Sequence, residues 1–305
     1  MDYSELRNEF PDLIIKENEA LSNYTYTETG GPADILFFPS SIEEVQAVVN
    51  WTLAQDLEMT ILGNASNLIV RDGGIRGVTI ILTELKQMTI KDEQITVEAG
   101  AAIIDLSESA YEQGLTGLEF ACGIPGSVGG AVYMNAGAYG GEVKDVIETV
   151  TLLSREGEIK VLSNDEMNFS YRKSILQETQ DIVLSITVQL SKGDKEKIRE
   201  KMAELTFLRT SKQPLEYPSC GSVFKRPEGH YTGKLIQDAG LQGLIWGGAQ
   251  VSTKHAGFIV NIADATASDY IELIKHIQAV ILKETGVKLE REVHIIGENI
   301  SERVS

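Results

Sequence analysis

Several common sequence features are absent from this 305-residue chain, and each absence excludes a class of protein. The only two cysteines, Cys122 and Cys220, are far apart and form no paired spacing, so we expect no disulfide framework. No apolar run reaches the length of a membrane-spanning helix, and residues 1–20 alternate charged and apolar residues instead of forming a signal peptide. We therefore expect no membrane insertion and a cytoplasmic location.

Basic residues are also scarce. The chain has 27 Lys and Arg against 45 Asp and Glu, a net charge of -18, and it contains no extended block of Lys or Arg. Binding to nucleic acid depends on clustered cations that neutralise phosphates. The charge balance therefore argues against DNA or RNA as a partner.

Familiar catalytic motifs are missing as well. No two glycines are separated by a single residue, so the Gly-x-Gly-x-x-Gly dinucleotide fingerprint cannot occur. Gly233 and Lys234 are followed by Leu235, which excludes a Walker A loop. Neither a His-Glu-x-x-His metal site nor a Gly-x-Ser-x-Gly elbow is present, and we expect no metal.

The apolar content of 42% suits a globular protein, and the length suits two or three domains with a cleft between them. Periodicity and punctuation predict an α+β fold. One helix is predicted to follow a capping box at 41–44. Further helices are predicted at 103–113, 194–208, 233–239 and 267–285. Strands are predicted at 59–62, 68–70, 78–82, 95–98, 146–153, 158–162, 182–190, 244–252 and 257–262, and a domain boundary in the Pro-bearing stretch 210–219.

A glycine-dense segment is the strongest positive feature. Seven of the nineteen residues from Gly123 to Gly141 are glycine. Glycines at this density let backbone N–H groups approach a ligand, and successive amides in such turns suit the oxygens of a diphosphate. The alternative is a set of structural turns or a mobile lid.

A second loop, 62–70, combines a glycine with small hydrogen-bonding residues between two predicted strands. On its own such a loop is no more than a turn. Together the two loops could hold both ends of a dinucleotide diphosphate without a Rossmann fingerprint.

Six motifs of the chain, in their order, resemble those of the UDP-N-acetylenolpyruvoylglucosamine reductases, also called UDP-N-acetylmuramate dehydrogenases. They are residues 30–34, 63–70, 123–141, 169–174, 220–227 and 291–297, so the resemblance spans nearly the whole chain. The spacing is similar to the compact branch of the family, which lacks an inserted tyrosine loop, and Tyr231 is therefore not assigned the role of that tyrosine.

This resemblance implies an FAD-binding fold shared with vanillyl-alcohol oxidase and p-cresol methylhydroxylase. Two α+β subdomains would comprise residues 1–82 with 288–305 and residues 83–206, and an α+β substrate-binding domain residues 207–287. NADPH is the implied co-substrate. All four histidines, 230, 255, 276 and 294, lie beyond the inferred FAD domain, so FAD should be bound non-covalently.

The resemblance also implies the site residues. Those for the cofactor are Gly63, Asn64, Ala65, Ser66, Asn67, Leu68, Gly123, Pro125, Gly126, Ser127, Gly129, Gly130, Asn135, Ala136 and Gly137. Those for the substrate, a small sugar nucleotide, are Lys212, Lys225 and Arg226. Arg226 replaces the Asn that many relatives carry at that position, so contacts with the substrate phosphates are expected to differ.

The implied reaction adds a hydride and a proton to an enolpyruvyl group attached to UDP-N-acetylglucosamine. Arg172 and Glu292 would flank its carboxylate, and Ser222 would donate the proton, with Lys225 stabilising the alkoxide. As an anion Glu292 would repel the developing charge, so a protonated or hydrogen-bond-sharing state is required.

Two other functions stay open at this point. One is an FAD-dependent alcohol or sugar oxidase, which would need no serine proton donor. The other is a catalytically silent nucleotide-sugar sensor, although Arg172, Ser222 and Glu292 are all present. The sequence does not indicate an oligomeric state.

Overall fold

The structure, a computed structural model, describes residues 3–302 and contains both helices and strands throughout that range. The α-helices are α1 (Tyr3–Glu9), α2 (Ile42–Ala54), α3 (Ile103–Glu112), α4 (Val128–Tyr133), α5 (Leu176–Thr179), α6 (Lys195–Lys212), α7 (Thr232–Asp238) and α8 (Ala267–Thr285). Short 3-10 helices comprise Leu21–Asn23, Glu119–Ala121, Val143–Asp145 and Ile300–Glu302.

The β-strands are β1 (Ile14–Ala20), β2 (Pro32–Phe38), β3 (Met59–Leu62), β4 (Leu68–Val70), β5 (Ile75–Ile81), β6 (Met88–Lys91), β7 (Gln94–Glu98), β8 (Leu115–Thr116), β9 (Gly137–Ala138), β10 (Gly141–Glu142), β11 (Ile147–Leu153), β12 (Ile159–Ser163), β13 (Ile182–Gln189), β14 (Ser191–Lys192), β15 (Ser219–Ser222), β16 (Ile245–Trp246), β17 (Ala249–Val251), β18 (Phe258–Asn261) and β19 (His294–Ile296). The predicted α+β class is confirmed.

The chain packs as two units, each assembled from separate stretches of sequence. Unit 1 comprises the residues up to 17 together with 35–64 and 77–208, and unit 2 comprises 18–34, 65–76 and the residues from 209 onward. The three-domain division at residues 82, 206 and 287 stays a prediction, and the ends of its ranges 1–82 and 288–305 lie outside the described residues.

Unit 1 is built on a five-stranded sheet with the order β12-β11-β13-β7-β6. Strands β11 and β12 form the predicted hairpin, in which Gly157 N–H donates to Ser154 O (3.1 Å) and Gly157 has a φ of +88°. The inward faces of this sheet and of α3 and α4 supply the unit's apolar core, which includes Val97, Leu106 and Val150. Another four-stranded sheet, β1-β2-β5-β3, forms within the first 81 residues.

Unit 2 is built on the sheet β15-β18-β17-β16, with α8 as its longest helix. Its core contains Tyr270, Ile274 and Ile277 of α8, which confirms the apolar stripe predicted for that helix. The predicted cap is also present, because Thr266 and Asp269 form a capping box and Gly286 closes the helix in the left-handed conformation. Asp72 stabilises the same terminus, since its carboxylate accepts hydrogen bonds from Ala267 N–H (2.8 Å) and Ser268 N–H (2.9 Å).

Two predicted elements differ from the structure. The predicted strand 244–252 is interrupted, because Gly247 adopts a φ of +55° and separates β16 from β17 as a turn. Helix α6 continues to Lys212, into the stretch 210–219 predicted as a boundary, because the first residue that cannot continue the helix is Pro214. None of the helices described combines the length and the hydropathy needed to cross a lipid bilayer.

Candidate functional site

Gly63, in the first predicted loop, meets the glycine-dense segment within unit 1. A Cβ atom built on Gly63 would collide with the Ser127 hydroxyl. This added atom would lie 3.3 Å from Ser127 Cβ and 4.0 Å from Gly130 N. A methyl group at residue 63 would therefore displace the Ser127 hydroxyl, which caps α4, or push the two loops apart. The two loops thus approach each other through a glycine on one side and the small side chain of Ser127 on the other.

Part of the glycine density is structural. The segment contains the short helix α4, whose N-cap Ser127 accepts a hydrogen bond from Gly130 N–H (3.3 Å). The amides of Val128 and Gly129 donate to Ala101 O and Ala99 O, both at 2.8 Å. A Cβ on Gly129 would lie 3.0 Å from Ala99 Cβ, so this glycine permits close packing of α4.

These loops suit a dinucleotide cofactor on the chemistry of their residues. Loop 63–67 offers Gly, Asn, Ala and Ser, and Gly130 at the start of α4 is exposed. Glycine main chain and small polar side chains are the groups that bind diphosphate oxygens. The residues present therefore fit FAD, and loops 63–68 and 123–130 are the ones that would hold it. The individual contacts stay predictions.

Asn135 is fully buried, with its side chain bonded to protein. Its Oδ1 accepts from Lys144 N–H (3.0 Å), and its Nδ2 donates to Ser170 O (3.0 Å) and to a carboxylate oxygen of Glu142 (3.2 Å). The side chain of this predicted cofactor residue thus connects the glycine-dense segment to the loop that carries Arg172. Contacts of Asn135, Ala136 and Gly137 with the cofactor stay predictions.

Arg172 lies at the tip of a two-residue turn in unit 1. Ser170 and Lys173 close this turn with reciprocal backbone hydrogen bonds of 3.0 and 3.1 Å, and Arg172 has a φ of +56°. Its guanidinium stacks on the Tyr171 ring at 4.9 Å, and its Nη2 donates to Gly137 O at 3.1 Å. The structure therefore brings a predicted catalytic residue into contact with a predicted cofactor residue.

Ser222 ends strand β15 in unit 2, directly after a β-bulge. Ser219 pairs with Val260 and Ser222 with Phe258, so Cys220 and Gly221 together oppose one residue of β18. Gly221 has a φ of +74°, as the glycine of a bulge requires. The bulge breaks the alternation of the strand, so Cys220 is buried while Ser222 is exposed.

Glu292 lies beside the segment that carries Ser222. Its backbone N–H donates to Val223 O at 2.8 Å, and its carbonyl accepts from Asn67 Nδ2 at 3.3 Å. His294 N–H donates to Asn67 O at 3.2 Å, where β19 and β4 pair as parallel strands. Unit 2 thus assembles two predicted catalytic residues and the end of a predicted cofactor loop from three distant stretches of sequence.

His294 is a residue of this assembly whose role the sequence did not predict. Burial, followed by the cations of Arg291 and Lys225, lowers its pKa from the ordinary histidine value. The neutral imidazole is therefore favoured next to Glu292. The run Val-His-Ile-Ile at 293–296 is the available sequence signal for the strand, but nothing in it predicts pairing with residues 68–70.

The predicted substrate residues occupy different places in unit 2. Lys225 follows Ser222 by three residues and its backbone N–H donates to Glu290 O at 2.9 Å. The Arg226 guanidinium lies over the Tyr231 ring at 4.0 Å, and its Nε donates to His230 O at 3.2 Å. Lys212 is exposed at the end of α6. Their contacts with substrate stay predictions.

The structure thus gives two groups of site residues, one in each unit. In unit 1 Gly63, Ser127 and Gly130 come together, and Arg172 contacts Gly137. In unit 2 Ser222, Glu292 and Asn67 come together. That Arg172, Ser222 and Glu292 act on one substrate stays a prediction. Within residues 3–302, no group of three or more His, Cys, Asp or Glu residues is arranged to hold a metal ion.

Comparisons with known proteins identify the family and the fold of the chain. Residues 213–296 match the model of the UDP-N-acetylenolpyruvoylglucosamine reductase C-terminal domain, and residues 33–163 match an FAD binding domain. The chain is 59% identical over 298 residues to the UDP-N-acetylenolpyruvoylglucosamine reductase of Pediococcus pentosaceus, covering 98% of this chain and 99% of that relative.

Two solved structures extend the comparison. The crystal structure of the reductase from Thermus caldophilus matches with a TM-score of 0.82 and 35% identity, over 93% of this chain and 100% of that one. A glucose dehydrogenase, Phl p 4.0202, matches with a TM-score of 0.50 and 13% identity over 64% of this chain and 45% of that chain, a likeness of fold alone.

These findings confirm the FAD-binding fold predicted from the motifs, and they favour neither the oxidase nor the silent sensor. The similarity to the Pediococcus pentosaceus reductase covers nearly the whole length of both chains. The chain belongs to the UDP-N-acetylenolpyruvoylglucosamine reductase family.

Proposed function

We propose that Arg172, Ser222 and Glu292 carry out the reaction of this family in the present chain. The chain is an FAD-containing, NADPH-dependent oxidoreductase that converts UDP-N-acetylglucosamine enolpyruvate to UDP-N-acetylmuramate for peptidoglycan synthesis. When bound, FAD supplies a relay that takes hydride from NADPH and gives it to the enolpyruvyl group. The loops 63–68 and 123–130 would hold this cofactor.

Ser222 donates the proton in this proposal. Reduction of the enolpyruvyl double bond places a hydride on the terminal carbon and a proton on the carbon that bears the carboxylate. The bulge at Gly221 supports the assignment, because it leaves the Ser222 hydroxyl exposed at the end of its strand. Lys225, three residues further along, stabilises the alkoxide that the hydroxyl leaves behind.

Arg172 and Glu292 act at the substrate carboxylate. The planar guanidinium of Arg172 matches a carboxylate and stays charged, so it stabilises the negative charge that spreads there before protonation. Glu292 supplies a shared hydrogen bond at the same carboxylate. The backbone hydrogen bond from Glu292 to Val223 supports this role, because it fixes residue 292 next to the proton donor.

Lys212, Lys225 and Arg226 bind the sugar nucleotide, and Arg226 does so at its diphosphate. The stacking of the Arg226 guanidinium on the Tyr231 ring supports this role of Arg226, because it orders the guanidinium before the substrate binds. A small sugar nucleotide and NADPH are the partners in this proposal, without nucleic acid, and the place of action is the cytoplasm, where nucleotide-linked precursors are made.

One observation carries the proposal: within unit 2, Glu292 is hydrogen-bonded to Val223, the residue after Ser222, and to Asn67, so three distant stretches of sequence meet there. Ser222→Ala tests it. We expect reduction of bound FAD by NADPH to proceed as in the wild type, while reoxidation by the enolpyruvyl substrate slows by about 100-fold or more, because only the second step needs the proton. Stopped-flow absorbance follows each step separately.

Ser219→Ala, on the same strand, is the matched control and should slow neither step. Equal slowing of both steps by Ser222→Ala would show that the serine supports the fold or the cofactor and is not the proton donor.

A further inference from the structure

The backbone of Arg172 adopts a conformation that non-glycine residues rarely take. Its φ of +56° lies in the left-handed region. Asn135, whose side chain donates a hydrogen bond to Ser170 O in the same turn, has a φ of +41°. Such conformations persist only where the surroundings hold them, and they cluster at functional sites. The contacts that hold the backbone of Arg172 therefore determine where its guanidinium lies.

Gln177 of α5 holds the backbone of Arg172. Its side-chain nitrogen Nε2 donates to Arg172 O at 2.9 Å and to Tyr133 O, at the end of α4, at 3.3 Å. Ser174 Oγ also donates to Tyr133 O at 2.8 Å. One half-buried amide thus connects the turn of Arg172 to the end of the glycine-dense helix.

The same stretch of the glycine-dense segment holds the other parts of the turn. Asn135 Nδ2 donates to Ser170 O, the residue that opens the turn, and Gly137 O accepts from the Arg172 guanidinium. Residues 133–137 therefore contact the turn directly at its first residue and at the guanidinium. Gln177 supplies the remaining connection, at the Arg172 carbonyl.

We propose that Gln177 is a positioning residue for Arg172. It acts through Arg172, because it fixes the strained backbone of Arg172 so that the guanidinium is presented in one orientation. A preorganised donor binds an anion without first being ordered, which raises affinity for the carboxylate. This inference rests on the proposed role of Arg172 at the substrate carboxylate.

Calorimetric titration of the oxidised holoenzyme, without NADPH, tests the inference apart from turnover. In Gln177→Met, which keeps the length of the side chain and removes its donor, we expect affinity for UDP-N-acetylglucosamine enolpyruvate to fall by about tenfold or more. Affinity for UDP-N-acetylglucosamine, which lacks the carboxylate, should be unchanged. Gln46→Met is the matched control, because Gln46 is also half-buried on a helix and donates to a backbone oxygen, Gly157 O at 3.2 Å.

A double-mutant cycle with Arg172→Ala identifies the route of the effect. If Gln177 acts through Arg172, Gln177→Met should cause no further loss of affinity in the Arg172→Ala background. The same loss in both backgrounds, or an equal loss for both nucleotides, would overturn the inference and show a general structural role.

Gln177→Glu repeats the cycle with a side chain of the same shape. The test therefore remains possible if Gln177→Met does not fold. The melting temperature of each holoenzyme checks folding. If the wild type itself does not bind the enolpyruvyl nucleotide, the proposed function fails and the inference with it; if the wild type binds and the cycle is additive, only the inference fails.

Discussion

At Ser222, the conformation of one neighbouring glycine decides what the side chain faces. In a regular strand Cys220 and Ser222 would lie on the same face, and both would be buried or both exposed. Gly221 at φ +74° inserts a bulge, and the two side chains then differ: Cys220 is 2% exposed and its burial raises the thiol pKa to about 12, whereas Ser222 is exposed. The sequence shows the glycine but not the bulge.

His294 should make the stability of the protein depend on pH. Because its pKa is lowered in the folded state, the unfolded chain takes up a proton, near an ordinary histidine pKa of about 6.5, that the folded chain does not. Stability is therefore full above about pH 6.5 and falls as the pH decreases from there to the lowered value. His255, whose pKa burial also lowers, contributes in the same direction.

His294→Gln should reduce this loss of stability below about pH 6.5, and thermal melting at a series of pH values measures it. His230→Gln, at an exposed position, is the control for removing an imidazole. A variant that loses as much stability on acidification as the wild type would show that His294 does not cause the dependence.

Among the elements, the contact between Gly63 and Ser127 is the one that we expect to shape the proposed cofactor site. Gly63→Ala places a methyl group against the Ser127 hydroxyl, so either this hydroxyl leaves its capping position or the loops separate. We expect the purified variant to hold less FAD than the wild type, measured as the ratio of flavin to protein absorbance.

The second substitution Ser127→Ala removes the colliding hydroxyl and should restore part of the FAD content. The restoration is expected to be partial, because Ser127 also caps α4, an interaction worth about 1 kcal/mol. If Gly63→Ala holds a full complement of FAD, or if Ser127→Ala gives no recovery in the double variant, the contact between the loops does not govern cofactor binding.

The elements that could be predicted from the sequence are those whose signals are local. Helix α8 was predicted from its capping box, its apolar stripe and Gly286, and strands β3 and β4 from their flanking turn residues. Strands β16 and β17 were predicted as one, because Gly247 and Gly248 within an apolar run do not reveal a turn until the backbone is seen. Helix α4 could not be predicted, because glycine has a low helix propensity and a glycine-rich segment therefore indicates a loop.

At the scale of the whole molecule, the site depends on pairings between residues far apart in the chain. Strand β19 pairs with β4, bringing residues 294–296 beside 68–70, and Glu292 bonds to Val223. Periodicity cannot predict such pairings, because the sequence pattern of a strand does not depend on which strand it pairs with. The identities of the site residues could be predicted only through their resemblance to a family.

The measurement that tests the central claim most directly is anaerobic absorbance of the holoenzyme through one reaction cycle. NADPH should bleach the visible absorbance of bound FAD, and UDP-N-acetylglucosamine enolpyruvate should then restore it while UDP-N-acetylmuramate forms in a one-to-one ratio with the flavin. If the reduced protein stays bleached in the presence of this nucleotide and regains its colour only when oxygen is admitted, the chain is not the reductase described here.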